Sequence, residues 1–289
     1  MDVTRTLDTV IYEKEGGIAR IILNYPEKAN AQNSQMVWDV EDCLKDADRD
    51  YDIKVVILKA NGRGFSAGHV IGGDPNAYPE FNESGARLGS TWKAQYDLFV
   101  LPVLHLWEFP KPTISAVQGY CLGGGTHYGL VTDMTIASED AYFQYPVLQG
   151  FGMPSGECSI EPWVFMNWKR AAEYLYTGQK LSAQEALEFG LINRVVPRDE
   201  LDETVESVAR HIAQAPLTTL LATKQNLKRA WELMGMRVHW QSSNDLVALA
   251  SASSDVRQLI GEVFTNGVKP REMAEQRARQ AQESAPAQP

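Results

Sequence analysis

Hydrophobic and polar residues alternate in two short runs near the N-terminus, TVIYEK and IARIILN, within residues 8–24. This spacing predicts two strands, and the Glu-Gly-Gly segment at 15–17 is typical of a hairpin turn between them. Apolar residues then recur at intervals of three and four over 36–47. This period predicts an amphipathic helix whose N-cap is Asn33 or Ser34.

Two unbroken apolar runs follow, VVILKA at 55–60 and TISAVQ at 113–118. Runs of this kind predict strands that are covered on both faces. Segment 61–80 is rich in Gly and Pro and predicts a long loop, which is usually functional or mobile when it lies inside a compact domain. A helix is predicted over 84–108, and further strands over 134–146.

Beyond about residue 160 the pattern is helical, apart from one short strand predicted at 191–196. The segment LSAQEALEFG has Ser182 as an N-cap, Glu185 at the third helical position and Gly190 as a stop, which together mark a complete helix. The predicted organisation has three parts: an α/β core (1–195), a helical C-terminal region (196–280) and a disordered tail (281–289).

Charge and composition narrow the classes of partner. The 27 Lys and Arg against 37 Asp and Glu give a net charge of −10, which argues against nucleic acid or a membrane as partner because both attract basic surfaces. The N-terminus lacks the apolar stretch of a secretory signal, and the most apolar span, 98–107, is too short to cross a bilayer. Cys43, Cys121 and Cys158 are widely spaced, which favours reduced thiols over disulfides or a zinc site. We therefore expect a cytoplasmic protein without a metal site.

Two glycine-rich segments are candidates for ligand binding. NGRGFSAGH at 61–69 resembles a dinucleotide fingerprint, but the Gly and Pro residues after it exclude the helix that such a site needs. GYCLGGGTH at 119–127 has three consecutive glycines between a strand and a short helix. Because glycine has no Cβ, its backbone N–H group can approach a ligand closely, and a helix N-terminus favours an anion. This pattern therefore indicates an oxyanion or phosphate site. Close packing of the helix against the sheet is the alternative.

These segments occur within a longer series of motifs: PEKANAQN (26–33), FSAGH (65–69), ISAVQGYCLGGGTH (114–127), DMTIASEDAYFQYP (133–146) and YLYTGQKLSAQEALEFGLINRVVP (174–197). In this order they resemble the crotonase, or enoyl-CoA hydratase, superfamily over about residues 8–275. The resemblance implies an α/β fold, a crotonase-like spiral of ββα units with a helical C-terminal trimerisation region, in a homotrimer or a dimer of trimers. It also implies an acyl-CoA thioester as partner, with coenzyme A as part of the substrate and no separate cofactor.

The resemblance implies that the backbone N–H groups of His69 and Gly124 stabilise an enolate oxyanion. Hydratases of the family hold a water between two glutamates, whose aligned positions here are His127 and Val147. Both catalytic carboxylates are therefore missing. His127 becomes the candidate general acid or base, the alternative being a histidine hydrogen-bonded within the core. Glu157 could supply a carboxylate from the following loop, although a glutamate at a helix start is equally expected there.

The resemblance also implies contacts with the rest of the substrate. Segments 28–29 and 66–67 correspond to the part of the family that holds adenine, and the C-terminal region contacts coenzyme A, often from a neighbouring subunit. The candidate substrate-binding residues are Lys28, Ala29, Ser66, Ala67, Gly68, Gly123, Val147, Phe264 and Lys269.

Several reactions are compatible with these residues. Adding water across an enoyl thioester needs one group to take a proton from water and another to protonate Cα, and valine can do neither. The sequence favours an acyl-CoA lyase or isomerase of the enoyl-CoA hydratase class that works through an enolate. AGH at 67–69 also resembles the methylmalonyl-CoA-decarboxylase-like branch, and His127 with Glu157 would suit hydrolysis of a C–C bond in a β-dicarbonyl substrate. A protein that binds acyl-CoA without turning it over is the alternative from another class.

Overall fold

The structure, a computed structural model, describes residues 3–71, 76–83, 88–154, 168–266 and 269–283. The strands within these ranges are β1 (Val3–Thr6), β2 (Val10–Glu15), β3 (Ile18–Leu23), β4 (Val55–Ala60), β5 (Thr113–Val117), β6 (Tyr120–Leu122), β7 (Met134–Ser138), β8 (Tyr142–Gln144), β9 (Leu181–Ser182) and β10 (Arg194–Val196).

Helices connect and cover these strands. They are α1 (Ser34–Arg49), α2 (Pro79–Glu83), α3 (Leu88–Gln95), α4 (Leu101–Glu108), α5 (Gly124–Leu130), α6 (Val147–Phe151), α7 (Trp168–Thr177), α8 (Ala183–Glu188), α9 (Leu201–Ala213), α10 (Leu217–Leu233), α11 (Met236–Ser251), α12 (Ser254–Asn266) and α13 (Pro270–Glu283). A π-helical segment, Tyr96–Val100, joins α3 to α4.

The strands form two sheets. In the described residues the larger sheet has the order β1-β2-β3-β4-β5-β7-β10, and the smaller has the order β6-β8-β9. The predicted hairpin is confirmed, since β2 and β3 pair antiparallel around Gly16 and Gly17. From β3 to β10 neighbouring strands of the larger sheet are parallel. Helix α1 is capped as predicted, because the Asn33 side chain accepts a hydrogen bond from Met36 N at 2.9 Å.

Both faces of the larger sheet are buried, as the unbroken run VVILKA in β4 predicts. One face carries the main apolar core, which includes side chains of α1 and α4. The other face packs Ile57 and Ile114 against Leu201, Val205 and Ala209 of α9. The first helix after residue 196 is therefore part of the packing that encloses the sheet.

Consecutive segments repeat the predicted ββα unit. β5 lies in the larger sheet, β6 in the smaller one, and α5 follows; β7, β8 and α6 repeat the same order. Each unit therefore turns from one sheet into the other before its helix begins. An isolated parallel bridge between Ser66 and Cys121 brings the first glycine loop to the edge of the smaller sheet beside β6.

The structure differs from the sequence prediction in several details, and the strands β1 and β6 were not predicted. The helix predicted over 84–108 is divided into α3, the π-helical segment and α4, and residues 84–87 lie outside the described residues. The two-residue strand β9 was not predicted. Helix α13 extends to Glu283, into the segment predicted as a tail, and residues 284–289 lie outside the described residues. No helix in the described part of the chain is long and apolar enough to cross a membrane.

Candidate active site

The first glycine loop is held by a buried asparagine. Asn30 is fully buried in the left-handed region at φ 50°. Its side chain accepts a hydrogen bond from Tyr25 N at 2.8 Å and donates to Asn61 O at 2.8 Å and Gly64 O at 3.2 Å. Ser66 Oγ donates to Asn30 O at 2.7 Å, so the loop is tied at both ends to the segment after β3.

The backbone of His69 is oriented by its pairing with Gln32. Gln32 N donates to Gly68 O, and Val70 N donates to Gln32 O, both at 2.8 Å. In a parallel bridge of this kind the N–H of the central residue, here His69, points away from the partner strand. Among the described residues nothing accepts a hydrogen bond from His69 N. The N–H of the first predicted oxyanion donor therefore points away from Gln32 and has no acceptor among the described residues.

The three consecutive glycines have different structural roles. Gly123 adopts φ 49°, which favours glycine at the turn into α5. Gly125 lies against the first loop, where a Cβ would come within 2.7 Å of Ser66 O. Gly124 begins α5, and the first N–H groups of a helix have no partner within the helix. Gly125 therefore serves close packing, and Gly124 has an N–H group without a partner within the helix.

The two predicted donors lie close together. A Cβ at Gly68 would lie 2.9 Å from Gly124 N, so the residue before His69 is in contact with the second donor. The His69 ring extends over Gly124, where a Cβ would lie 2.7 Å from its Nε2 atom and 2.6 Å from Gln32 Oε1. Phe99 stacks on the other side of the imidazole, with ring centroids 4.1 Å apart.

His127 lies beneath this surface and is 2% exposed. Its Nε2 atom is 3.3 Å from Tyr145 Oη, and its Nδ1 atom has no hydrogen-bond partner among the described residues. The rings of His69 and His127 are 5.9 Å apart. Burial lowers the pKa of His69 to about 4, and burial together with the nearby His69 lowers the pKa of His127 well below its ordinary value. Both imidazoles are therefore neutral at pH 7.

The predicted positions of the carboxylates have apolar or neutral surroundings. Val147 is the first residue of α6, follows Pro146 and is partly buried against the main core. No carboxylate among the described residues contributes to the pKa shift of His127. Glu157 lies outside the described residues. Among the described residues the imidazoles at this site are those of His69 and His127, and His127 contacts Tyr145.

The predicted adenine edge lies at the outer end of the first loop. Lys28 is exposed, and Ala29 is left-handed at φ 57° and partly buried. Ala67 N donates to Ala29 O at 3.0 Å, and Ser66 N donates to Tyr120 O at 3.3 Å. Because these two N–H groups are already bonded, this edge offers acceptors rather than backbone donors to a ligand.

The C-terminal candidates lie on elements that pack against α6. Phe264 belongs to α12, and Lys269 is exposed immediately before α13. Arg277 on α13 donates to Gln149 O at 2.8 Å, which ties this helix to the one that begins at Val147. The chain therefore brings its last helices beside the second ββα unit.

Two residues near the site were not identified from the sequence, Gln32 and Phe99. Gln32 follows the matched PEKANA segment, so its position was a usable signal, but its side-chain direction depends on the bridge to His69. Phe99 lies in the π-helical segment, whose irregular turn no local pattern predicts.

Comparisons with known proteins identify the family and the fold of the chain. The pattern of the enoyl-CoA hydratase/isomerase family matches residues 13–258. The 1,2-epoxyphenylacetyl-CoA isomerase of Escherichia coli is 31% identical, over 87% of this chain and 94% of the relative. The (7aS)-7a-methyl-1,5-dioxo-2,3,5,6,7,7a-hexahydro-1H-indene-carboxyl-CoA hydrolase of Rhodococcus jostii is 31% identical, over 78% of this chain and 80% of the relative.

A solved structure from Xanthobacter autotrophicus Py2, described as an enoyl-CoA hydratase/isomerase, superimposes with a TM-score of 0.79 at 30% identity. The match covers 95% of this chain and 99% of that one. The crotonase fold, with its central sheet and helical C-terminal region, is thereby confirmed. The chain belongs to the enoyl-CoA hydratase/isomerase family and is an enzyme of the lyase and isomerase class.

Proposed function

We propose that this enzyme binds an acyl-CoA thioester and stabilises its enolate with the backbone N–H groups of His69 and Gly124. The observation that supports the proposal is that a Cβ at Gly68 would lie 2.9 Å from Gly124 N, so the residue before the first proposed donor lies against the second. Donors fixed in this way need no reorganisation when charge develops on the thioester oxygen. Each is worth about 2.7–4 kcal/mol of transition-state stabilisation in comparable sites.

His127 carries the proton in this proposal. A neutral imidazole can accept a proton from the carbon next to the thioester and return it to another carbon. Tyr145 Oη, 3.3 Å from Nε2, fixes the orientation of the ring. With valine at the second aligned glutamate position, a single mobile proton suits isomerisation better than the addition of water.

Cleavage of a carbon–carbon bond is the second candidate reaction. Loss of CO₂ from a malonyl-type thioester, or hydrolysis of a β-dicarbonyl, also passes through a thioester enolate that one imidazole can protonate. The similarity to the Rhodococcus jostii hydrolase, whose name states a dioxo acyl-CoA substrate, favours the hydrolytic form of this candidate. The third candidate function is binding of acyl-CoA without turnover.

Coenzyme A enters as part of the substrate in this proposal, and no separate cofactor is required. Its adenine is placed at the edge formed by Lys28, Ala29 and the segment 66–67, where the Ala67 carbonyl is the acceptor for the amino group. Phe264 and Lys269 are proposed to contact the same moiety.

A homotrimer, or a dimer of trimers, is proposed for the assembly. Large apolar side chains of α10, of α11 and of the turn between them are exposed in the single chain, which favours burial against other copies. They are Leu227, Leu233, Met234, Val238, Leu246 and Leu249.

Mass spectrometry of the purified enzyme with enoyl-, malonyl-type and β-keto-acyl-CoA thioesters tests the reaction. His127→Ala is the test variant, and His211→Ala, an exposed histidine on α9, is the matched control. We expect one thioester class to give product, His127→Ala to lower its kcat at least about 100-fold, and the control to retain it. Turnover that is unchanged in His127→Ala contradicts the role of His127. Thioesters that bind but all remain intact favour the binding-only alternative.

A further inference from the structure

Gln32 has a buried side-chain nitrogen that no described residue of the protein satisfies. Its side chain is 1% exposed, and Nε2 has no hydrogen-bond partner among the described residues. Its backbone, in contrast, is fully bonded, since Gln32 N donates to Gly68 O and Gln32 O accepts from Val70 N and Tyr78 Oη. The residue is therefore fixed in position while its terminal amide is left unpaired.

The amide lies at the candidate oxyanion site. A Cβ at Gly124 would be 2.6 Å from Gln32 Oε1, 2.6 Å from His69 Cε1 and 2.7 Å from His69 Nε2. The ends of the Gln32 and His69 side chains therefore converge over the residue whose N–H is the second proposed oxyanion donor. Oε1 is the amide atom recorded beside Gly124, and Nε2 is bonded to the same carbon, so a half-turn about the Cγ–Cδ bond presents the donor to a ligand that binds there.

A second unsatisfied atom belongs to the same group of side chains. His127 Nδ1 is buried without a partner in the described part of the chain, and its ring is 5.9 Å from that of His69. A buried polar group without a partner is destabilising, so most such groups in native proteins are hydrogen-bonded. Two of them beside one proposed oxyanion site indicate a ligand with more than one polar atom.

We propose that the acyl group carries an oxygen on the carbon β to the thioester carbonyl, and that Gln32 Nε2 donates a hydrogen bond to it. The substrate class is then a 3-oxoacyl-CoA thioester, because its two carbonyl oxygens lie close enough to meet Gly124 N and the adjacent Gln32 amide together. Gln32 is a specificity-determining residue in this inference, and His127 remains the proton carrier. The inference rests on the proposed acyl-CoA function of the same site.

Isothermal titration of wild type with 3-oxobutanoyl-CoA and butanoyl-CoA, which have the same chain length, tests the inference. We expect the oxo thioester to bind about tenfold more tightly, because one hydrogen bond made in a site without water contributes about this factor in affinity. Gln32→Met preserves side-chain length without a donor and should abolish this preference, leaving butanoyl-CoA affinity within about threefold of wild type. Gln35→Leu, at an exposed glutamine on α1, is the matched control and should retain the preference. Gln32→Leu serves as the second variant if Gln32→Met does not fold.

The outcomes separate this inference from the proposed function. Equal affinity of wild type for the two thioesters, or a preference that survives in Gln32→Met, overturns the role of Gln32 while acyl-CoA binding stands. Failure of both thioesters to bind contradicts the proposed function itself and the inference with it. If wild type turns over the oxo thioester, the comparison is made on kcat/KM, which Gln32→Met should lower about tenfold.

Discussion

Gly124 and Gly125 are adjacent, yet a methyl group at each would meet different atoms. At Gly125 it would come within 2.7 Å of Ser66 O and 2.9 Å of Ser66 Cβ, in a loop held by several hydrogen bonds. At Gly124 the nearest atoms it would meet are the ends of the Gln32 and His69 side chains. The first contact is with backbone that cannot move freely, and the second is with groups that can.

This contrast predicts opposite consequences for two alanine variants. Gly125→Ala should lower the free energy of unfolding by about 1–3 kcal/mol, as overpacking of a tight contact does. Gly124→Ala should change stability less but lower kcat/KM about 100-fold, because it displaces the side chains beside the proposed donor. Urea unfolding and steady-state kinetics measure the two effects. Equal loss of stability in both variants would contradict the proposed difference between the glycines.

At the scale of elements, the segment between β3 and α1 organises the site. Asn30 connects this segment to the first loop through two side-chain hydrogen bonds, to Asn61 O and Gly64 O, and its side chain also accepts one from Tyr25 N within the segment. Asn30→Ala leaves these carbonyls unpaired and should lower the free energy of unfolding by about 2–4 kcal/mol. Asn24→Ala is the control, since Asn24 makes an exposed hydrogen bond to Asn61 Nδ2. Chemical denaturation of the two variants gives the comparison, and equal effects would show that the buried network is unimportant.

Most elements could be predicted from the sequence because their signals are local. The run VVILKA occupies β4 without a shift, and the Ser182 and Glu185 capping box forms as predicted. Strand β9 has two residues, too few for a period, and is defined by its pairing with β8. The residues of the site likewise divide into those with a local sequence signal and those placed by distant pairing. The glycine loops are visible in the sequence, whereas the position of the Gln32 side chain depends on a bridge across 37 residues to His69.

At the scale of the whole molecule, two neutral buried histidines affect stability as a function of pH. The pKa of His69 is about 4 in the folded chain, and that of His127 is also well below its ordinary value near 6.5. Below about pH 6.5 these two histidines bind more protons in the unfolded chain than in the folded one. Stability therefore falls as the pH is lowered from about 6.5 toward 4.

The contribution of one such histidine can be measured with His127→Gln. Between pH 7 and pH 5 a histidine that stays neutral in the folded state costs about 2 kcal/mol of stability. The variant should therefore lose less stability than wild type over this interval, by at most about 2 kcal/mol, measured by urea unfolding at both pH values. His211→Gln, at an exposed histidine on α9, should behave like wild type. The same loss in His127→Gln as in wild type would mean that His127 is protonated in the folded chain.

The exposed apolar side chains of α10 and α11 lead to a prediction about assembly. Leu233 is 90% exposed and Leu249 is 70% exposed, values that are costly for leucine in water. Light scattering after size exclusion should give three or six times the 32.2 kDa of one chain. Leu249→Glu places a charge in this apolar surface and should shift the mass toward that of the single chain. Tyr51→Glu, at another exposed apolar position, is the control and should leave the mass unchanged. A single-chain mass for wild type would contradict the trimer, whereas loss of the trimer in Leu249→Glu alone would identify this surface as the contact between copies.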